Sequence, residues 1–315
     1  MKESDEFLVL QKYFSNLGSQ YNDSSGVVIG PGDDAGLFSA KKTDLIFSTD
    51  VSNADIHFPK TLAPDLIAYR ACSVAASDIP ACGGTLKWLS ISLVTPSKEL
   101  NWLKEFAKGL KLFTKTYKIP IIGGDLSIGK SCSVSVGVCG EVNHKQFLSR
   151  KGAKVGDSIY VSGVLGLAKF GLQIIKSKKT NLTTEENKYV KKFLKPKVHT
   201  LLGKNLRNIA NSCIDISDGL LGDLDHICQQ SNLGAEINID LIPYKGSYKD
   251  ALTWGDDYEL CFTVPQNKEH KLNQICKKLQ IKKFKIGKIT LGKGIKIYRG
   301  NKEIFIKSKS YNHLS

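Results

Sequence analysis

A chain of 315 residues with 41% hydrophobic content can build one large or two medium domains, each with its own core, and is not globally disordered. Its 45 Lys plus Arg against 30 Asp plus Glu leave a formal net charge of +15, which raises nucleic acid as a partner class. No apolar run approaches the roughly 18 residues of a membrane helix, and the opening MKESDEFLVLQKYF carries acids where a secretory signal would be apolar. A cytoplasmic protein with no membrane partner is expected.

In chain order, LIFST (45–49), WLSISLVT (88–95), IPII (119–122) and SVSVGVC (133–139) read as strands, being short, rich in β-branched residues and flanked by turn formers. Between them, DLIAYRACSVAAS follows Pro64 at a first-turn position. NWLKEFAKGLKLFTKTY sets Trp102, Phe106, Leu110, Phe113 and Tyr117 three and four apart; both segments read as helices. A domain boundary is expected near residue 149, dividing the chain into 1–148 and 149–315. Beyond it, SRKGAKVGDSIYVSG turns from polar to strand-like, and Ser162 is expected to cap a helix through VLGLAKFGLQIIK. TNLTTEENKYVKKFL reads as a connector and a charged helix. SCIDIS reads as a strand that runs into the helix DGLLGDLDHICQQS, and YELCFTV as a further strand. The fold class expected is mixed α/β (α+β), with no tandem repeat.

Charge is not evenly spread. Residues 266–315 hold 14 basic and 2 acidic side chains, so twelve of the fifteen net charges lie in the last fifty residues. There Lys alternates with Ile and Phe in IKKFKIGKIT and GIKIYRGNKEIFIK, the period-two pattern of half-buried strands whose lysines face water. A solvated face is therefore expected rather than a nucleic-acid surface. The eight cysteines show no CxxC spacing and sit in small or apolar surroundings, so reduced, buried thiols are expected.

The chemistry lies in aspartates beside glycines and strand ends: Asp33 and Asp34 in GPGDDAG, Asp50 after LIFST, Asp78 closing a helix in AASDIPACGG, Asp125 in IIGGD, and Asp215 and Asp218 in DISDG. Clustered acids repel one another unless cations lie between them. Oxygen ligands without His or Cys pairs favour Mg²⁺, and Mg²⁺ held by carboxylates usually accompanies a polyphosphate. GGD at a strand end and a helix beginning after SDG would both offer backbone N–H groups to phosphate. Neither a Walker A sequence nor a kinase catalytic loop occurs, so the two commonest ATP-using architectures are excluded.

GPGDDAGLF, FSTDVSNADIHF, AASDIPACGG, IIGGDLSIG, SRKGAKVGD, DISDGLLGDL and GDDYEL together resemble, in order and spacing and over essentially the whole chain, the bacterial thiamine-monophosphate kinases. That family is similar in fold to the aminoimidazole ribonucleotide synthetase superfamily, so the resemblance implies two α/β domains and a homodimer paired through N-terminal domains. It implies ATP- and Mg²⁺-dependent phosphorylation of thiamine monophosphate to thiamine diphosphate, the last step of that cofactor's synthesis. Position by position, it assigns Asp34, Ser48, Thr49, Asp50, Asp78, Asp125, Asp215 and Asp218 to Mg²⁺, with Asp50, Asp125 and Asp218 central to catalysis. Gly124, Asp125, Arg150 and Ser217 would contact ATP; His57, Asp256 and Tyr311 would contact the acceptor.

Two departures stand out. Pro31 interrupts the family's GIGDD, and Trp254 and Asp256 replace a Gly and a Glu of GGEDYEL, which shortens a substrate-facing acid by one methylene. Rival readings are another synthetase of the superfamily, of the aminoimidazole ribonucleotide or selenophosphate type, the related hydrogenase-maturation protein, or a basic nucleic-acid-binding module. The first cysteine is Cys72, not an N-terminal reactive one, and the chain ends SYNHLS without a catalytic Cys. Phe284, Tyr298 and Phe305 give only a thin version of the interleaved aromatics that single-strand binding uses.

Overall fold

The structure is a computed structural model that describes residues 27–29, 33–39 and 43–306. Its first sheet has six strands in the order β1 (Val27–Ile29), β2 (Gly36–Ser39), β3 (Asp44–Asn53), β6 (Ser133–Val142), β4 (Thr85–Thr95) and β5 (Ile121–Ile128). Alternation sorts its side chains. Ile46, Leu89, Ile91, Leu93, Val134, Val136 and Val138 face inward, whereas Leu45, Phe47, Val51 and Ser92 point out of the opposite face.

Two helices cover the inner face. α1 (Pro64–Ala76) starts on a proline whose fixed φ suits the first turn, and its small buried side chains, Ala68, Ala71, Cys72 and Ala75, let it lie close to the sheet. The four-residue α2 (Asp78–Ala81) follows at once. α3 (Leu100–Tyr117) is the crossover that makes β4 and β5 parallel; it buries Phe106 and Phe113 and ends on Lys118 in the left-handed region.

The second sheet has seven strands in the order β13 (Lys302–Ile304), β12 (Gly294–Arg299), β9 (Gly234–Asn238), β11 (Phe284–Thr290), β7 (Ser158–Val161), β10 (Leu260–Val264) and β8 (Ser212–Asp215). With it go α4 (Leu167–Lys176), α5 (Thr184–Leu194), α6 (Thr200–Leu206), α7 (Leu220–Ser231), α8 (Tyr248–Thr253) and α9 (Glu269–Leu279). Thr183 and Glu186 form a reciprocal capping box at the start of α5, which fixes the end of the charged helix read from TNLTTEENKYVKKFL. A third apolar cluster, in which Ala81 and Leu148 meet Leu202, Leu206, Ile209 and Phe262, joins the two halves.

Several boundaries differ from the sequence expectation. IPII gives way to a strand over Ile121–Ile128, so GGD lies inside β5 rather than after it. β3 runs on to Asn53, which puts Asp50 within the strand. Asp78 opens α2 instead of closing α1. The helix after β7 begins at Leu167 with Gly166 as N-cap, because Ser162 is used elsewhere: its hydroxyl accepts from the Leu260 N–H at 2.8 Å and donates to Glu259. In β11, Ile286 and Ile289 are buried while Lys285 and Lys288 point outward and pair with Glu269 and Glu236 at 2.9 and 3.2 Å. All eight cysteines are buried free thiols.

Candidate active site

The ends of separate elements deliver acids to one place on the inner side of the first sheet. Carboxylate oxygens of Asp34, Asp78 and Asp215, at the approach to β2, the start of α2 and the last position of β8, lie within 4.8 Å of one another. Ser48 on β3 donates to Asp78 Oδ2 at 2.5 Å. Asp50, two residues on, shares that face of the strand and feels the charge of Asp218.

Such crowding makes ionisation costly. Burial, then the charges of Asp215 and Asp33, push Asp34 up to about 7 despite the opposing pull of Arg150. Burial and then Asp218 raise Asp50 to about 6. Asp215 rises to about 6, chiefly by burial, although Ser77 and Arg150 favour its charge. Asp78 is raised well above the ordinary carboxylate range by burial and then by the charges of Asp50, Asp215 and Asp34. Asp34 Oδ2 is buried without a hydrogen-bond partner. An all-oxygen donor set with an orphaned carboxylate oxygen and several mutually repelling charges fits a hard divalent cation such as Mg²⁺.

Around the acids, Arg150 donates from Nε to Asp34 Oδ1 at 2.7 Å, and Asp33 accepts from the Ser149 hydroxyl and from the Arg150 backbone N–H at 3.3 Å. Thus Arg150 is already engaged by an acid of the cluster. Asp223, in the first turn of α7, accepts from the backbone N–H groups of Asp218 and Gly219 at 3.2 and 3.1 Å and holds the DISDG turn beneath the cluster. Neither Asp33 nor Asp223 is among the positions that the resemblance assigns. The signal for Asp223 was present in DISDGLLGDL, as an acid in the first turn of a helix.

GDDYEL closes over this turn. A Cβ on Gly255 would sit 1.8 Å from the Ser217 carbonyl oxygen, so only glycine permits the approach. Asp256, at φ 75°, donates its backbone N–H to the Ser217 carbonyl at 2.7 Å. Each acid of the motif then holds a different element. Asp256 takes the guanidinium of Arg70 from α1; Asp257 accepts from the Gly166 N–H at the start of α4 at 2.7 Å; Glu259 pairs with Lys192 of α5 and, at 2.9 Å, with His199. Burial opposes the charge on Glu259, but Lys192 and His199 hold its carboxyl well below the ordinary range.

Other sequence candidates fall outside the cluster. Asp125 is exposed, in register with Ser92 on the outer face, and accepts from Ser127 Oγ at 3.3 Å. Thr49 points the same way as Val51, and Gly124 lies on the edge strand against β4. His57 sits in the loop after β3, where its Nδ1 accepts from the Asn53 N–H at 3.0 Å, which leaves the proton of the neutral ring on Nε2. Tyr311 lies outside the described residues.

Two domains, an acid cluster at their junction and the motif series define a class. Models of the N- and C-terminal domains of AIR synthase related proteins match residues 32–142 and 154–300. A hydrogenase maturation protein, HypE of Escherichia coli, shares the fold with a TM-score of 0.69 at 19% identity, over 86% of this chain and 88% of that one. The likeness to one branch is much closer. Thiamine-monophosphate kinase of Buchnera aphidicola subsp. Schizaphis graminum is 38% identical over 99% of both chains, and that of Escherichia coli strain K12 is 35% identical over 98% of both. The solved structure of AaThiL complexed with AMPPCP and TMP superposes with a TM-score of 0.84 at 29% identity, covering 99% of this chain and 98% of the other. The chain belongs to the thiamine-monophosphate kinase family.

Proposed function

We infer that the chain catalyses ATP-dependent transfer of a phosphoryl group to thiamine monophosphate, giving thiamine diphosphate. The observation that carries this is the convergence of Asp34, Asp78 and Asp215, from three separate family motifs, within 4.8 Å of one another in a chain that follows thiamine-monophosphate kinases from end to end. The acceptor is itself a phosphate, already ionised near neutral pH, so the reaction requires alignment and neutralisation of two polyanions rather than a general base. That need matches the site, whose described residues bring several carboxylates together.

Asp34, Ser48, Asp50, Asp78, Asp215 and Asp218 would hold Mg²⁺ from one copy of the chain, and bound Mg²⁺ supplies charge neutralisation at the phosphate oxygens. Arg150 and Ser217 would face the nucleotide phosphates with Gly124 and Asp125. His57, Asp256 and Tyr311 would serve the acceptor, His57 through the proton on Nε2 and Asp256 as an acceptor for its ring system. Thr49 and Asp125 lie on the outer face, and that face and the β5 edge expose Leu45, Phe47, Val51, Ile122, Leu126 and Ile128. An apolar face beside a strand at the edge of the described sheet fits a second copy of the chain, so these two residues would join the phosphate chemistry at a homodimer seam. The domain boundary is placed at residue 149, in the connector between the matched regions, and the compartment is the cytoplasm.

ADP release by the purified protein with Mg²⁺-ATP, across thiamine monophosphate, formylglycinamidine ribonucleotide and selenide, tests the reading. Thiamine monophosphate alone should support turnover; turnover with either other acceptor in its place would return the chain to the synthetase branches.

A further inference from the structure

Arg70 is the least expected residue in the molecule. It lies in the middle of α1 among alanines, 3% exposed, and a buried guanidinium is strongly destabilising unless acceptors surround it. Both of its assigned acceptors come from the other half of the chain. It donates to the Phe193 carbonyl at the end of α5 and to Asp256 Oδ1 in GDDYEL, and its guanidinium carbon stacks 3.9 Å from the centre of the Phe193 ring.

The contact reaches the reacting region by a short path. α1 leads directly into Ser77 and Asp78, and Asp256 is bonded through its backbone to Ser217, the neighbour of Asp218. Tyr258, buried two residues further on, feels the charges of Asp256 and Arg70 and, less strongly, those of Asp50 and Asp215. Asp256 is held by Arg70 through one carboxylate oxygen and keeps a fifth of its side chain exposed.

We propose that Arg70 is a positioning residue for the acceptor side of the cleft, aiming Asp256 across the domain junction and so adapting the site to an acid one methylene shorter than glutamate. The inference rests on the reading of Asp256 as an acceptor contact. A long planar guanidinium reaches a short acid; a glutamate in the same place would be matched by a shorter cation. The Arg70–Asp256 pair is neutral taken together, so Asp256 serves as an oriented hydrogen-bond acceptor more than as a counter-charge.

Four variants test this: Asp256→Ala, Arg70→Lys, Asp256→Glu, and the double variant R70K/D256E. Each is assayed for KM for thiamine monophosphate, for kcat, and for the Kd of Mg²⁺ with a non-hydrolysable ATP analogue. Arg70→Lys and Asp256→Glu should each raise KM about fivefold to tenfold with analogue Kd within about twofold, and the double variant should return KM to within about twofold of the parent. A double variant no better than its parts, equal losses for both ligands, or an Arg70→Lys chain that no longer folds would make Arg70 a core fixture and overturn the proposal. An unchanged KM in Asp256→Ala would instead remove the acceptor reading on which it rests.

Discussion

Replacing Asp50 by Asn removes a charge that the metal-free protein holds at a cost. Burial and Asp218 lift its carboxyl from 3.8 to about 6, roughly two units, and at 1.36 kcal/mol per unit this is a penalty of up to about 3 kcal/mol. Its partial exposure and solvent screening reduce that to about 2 kcal/mol. The same substitution relieves Asp78 and Asp215, both of which Asp50 raises. The sign with pH follows. A folded-state value above the unfolded one means that the native state binds the extra proton, so the penalty is absent below about pH 4, grows through about pH 6 and is full above it.

Metal-free Asp50→Asn should accordingly melt above the parent at pH 8, by roughly 5 °C for a domain of this size, and level with it near pH 4. Turnover should move the other way, falling about a hundredfold to a thousandfold at saturating Mg²⁺, because the charge that repels its neighbours in the empty site is what neutralisation of two polyphosphates requires. Differential scanning fluorimetry in chelator and a coupled ADP assay read the two arms. Near-normal turnover, or a metal-free variant that melts below the parent at pH 8, would refute the reasoning.

Protons and Mg²⁺ compete for Asp34, Asp50, Asp78 and Asp215, all raised, so the thermal shift produced by a fixed Mg²⁺ concentration should be markedly larger at pH 8 than at pH 5.5; an equal shift would place the metal elsewhere. Ile122→Asp, at a 59% exposed position on β5, should turn a dimer into a monomer by sedimentation and cost most of the turnover while leaving the melting transition of the second domain unchanged. An unaltered sedimentation coefficient would count against the homodimer seam. Glu259→Gln should destabilise the fold by about 3 kcal/mol at pH 7, since it takes the counter-charge from Lys192, whose side chain is largely covered. Because the Glu259 carboxyl is held below its ordinary 4.5, its contribution is present above that value and lost as pH falls through the lower folded value, so the deficit should shrink in acid. A deficit constant with pH would show that packing, not charge, is what was lost.

Much of the architecture was legible because its causes are local. Pro64 followed by closely spaced small residues and a stripe of four aromatics and a leucine in α3 gave two helices, and the Lys–Ile alternation of β11 and β12 gave a half-buried sheet with an aqueous lysine face. The acids beside glycines were legible too, since that pairing of residue types carries its own chemistry wherever the chain takes it. Strand and helix ends were less so. Asp50 and GGD read as strand-terminal because Asp and Gly are turn formers, yet pairing with β6 and β4 carries the backbone through both.

What the tertiary structure alone decided is which residues share a volume. Period two divides β3 into Ser48 and Asp50 on one side and Thr49 on the other, but only the docking of α1 and α2 makes the first side the interior and leaves Asp125 facing out with Thr49. Arg70 stands in the apolar pattern of a helix with nothing nearby to explain it. Its acceptor Asp256 lies 186 residues away, a separation that no short-range propensity spans and that only the packing of the two domains closes.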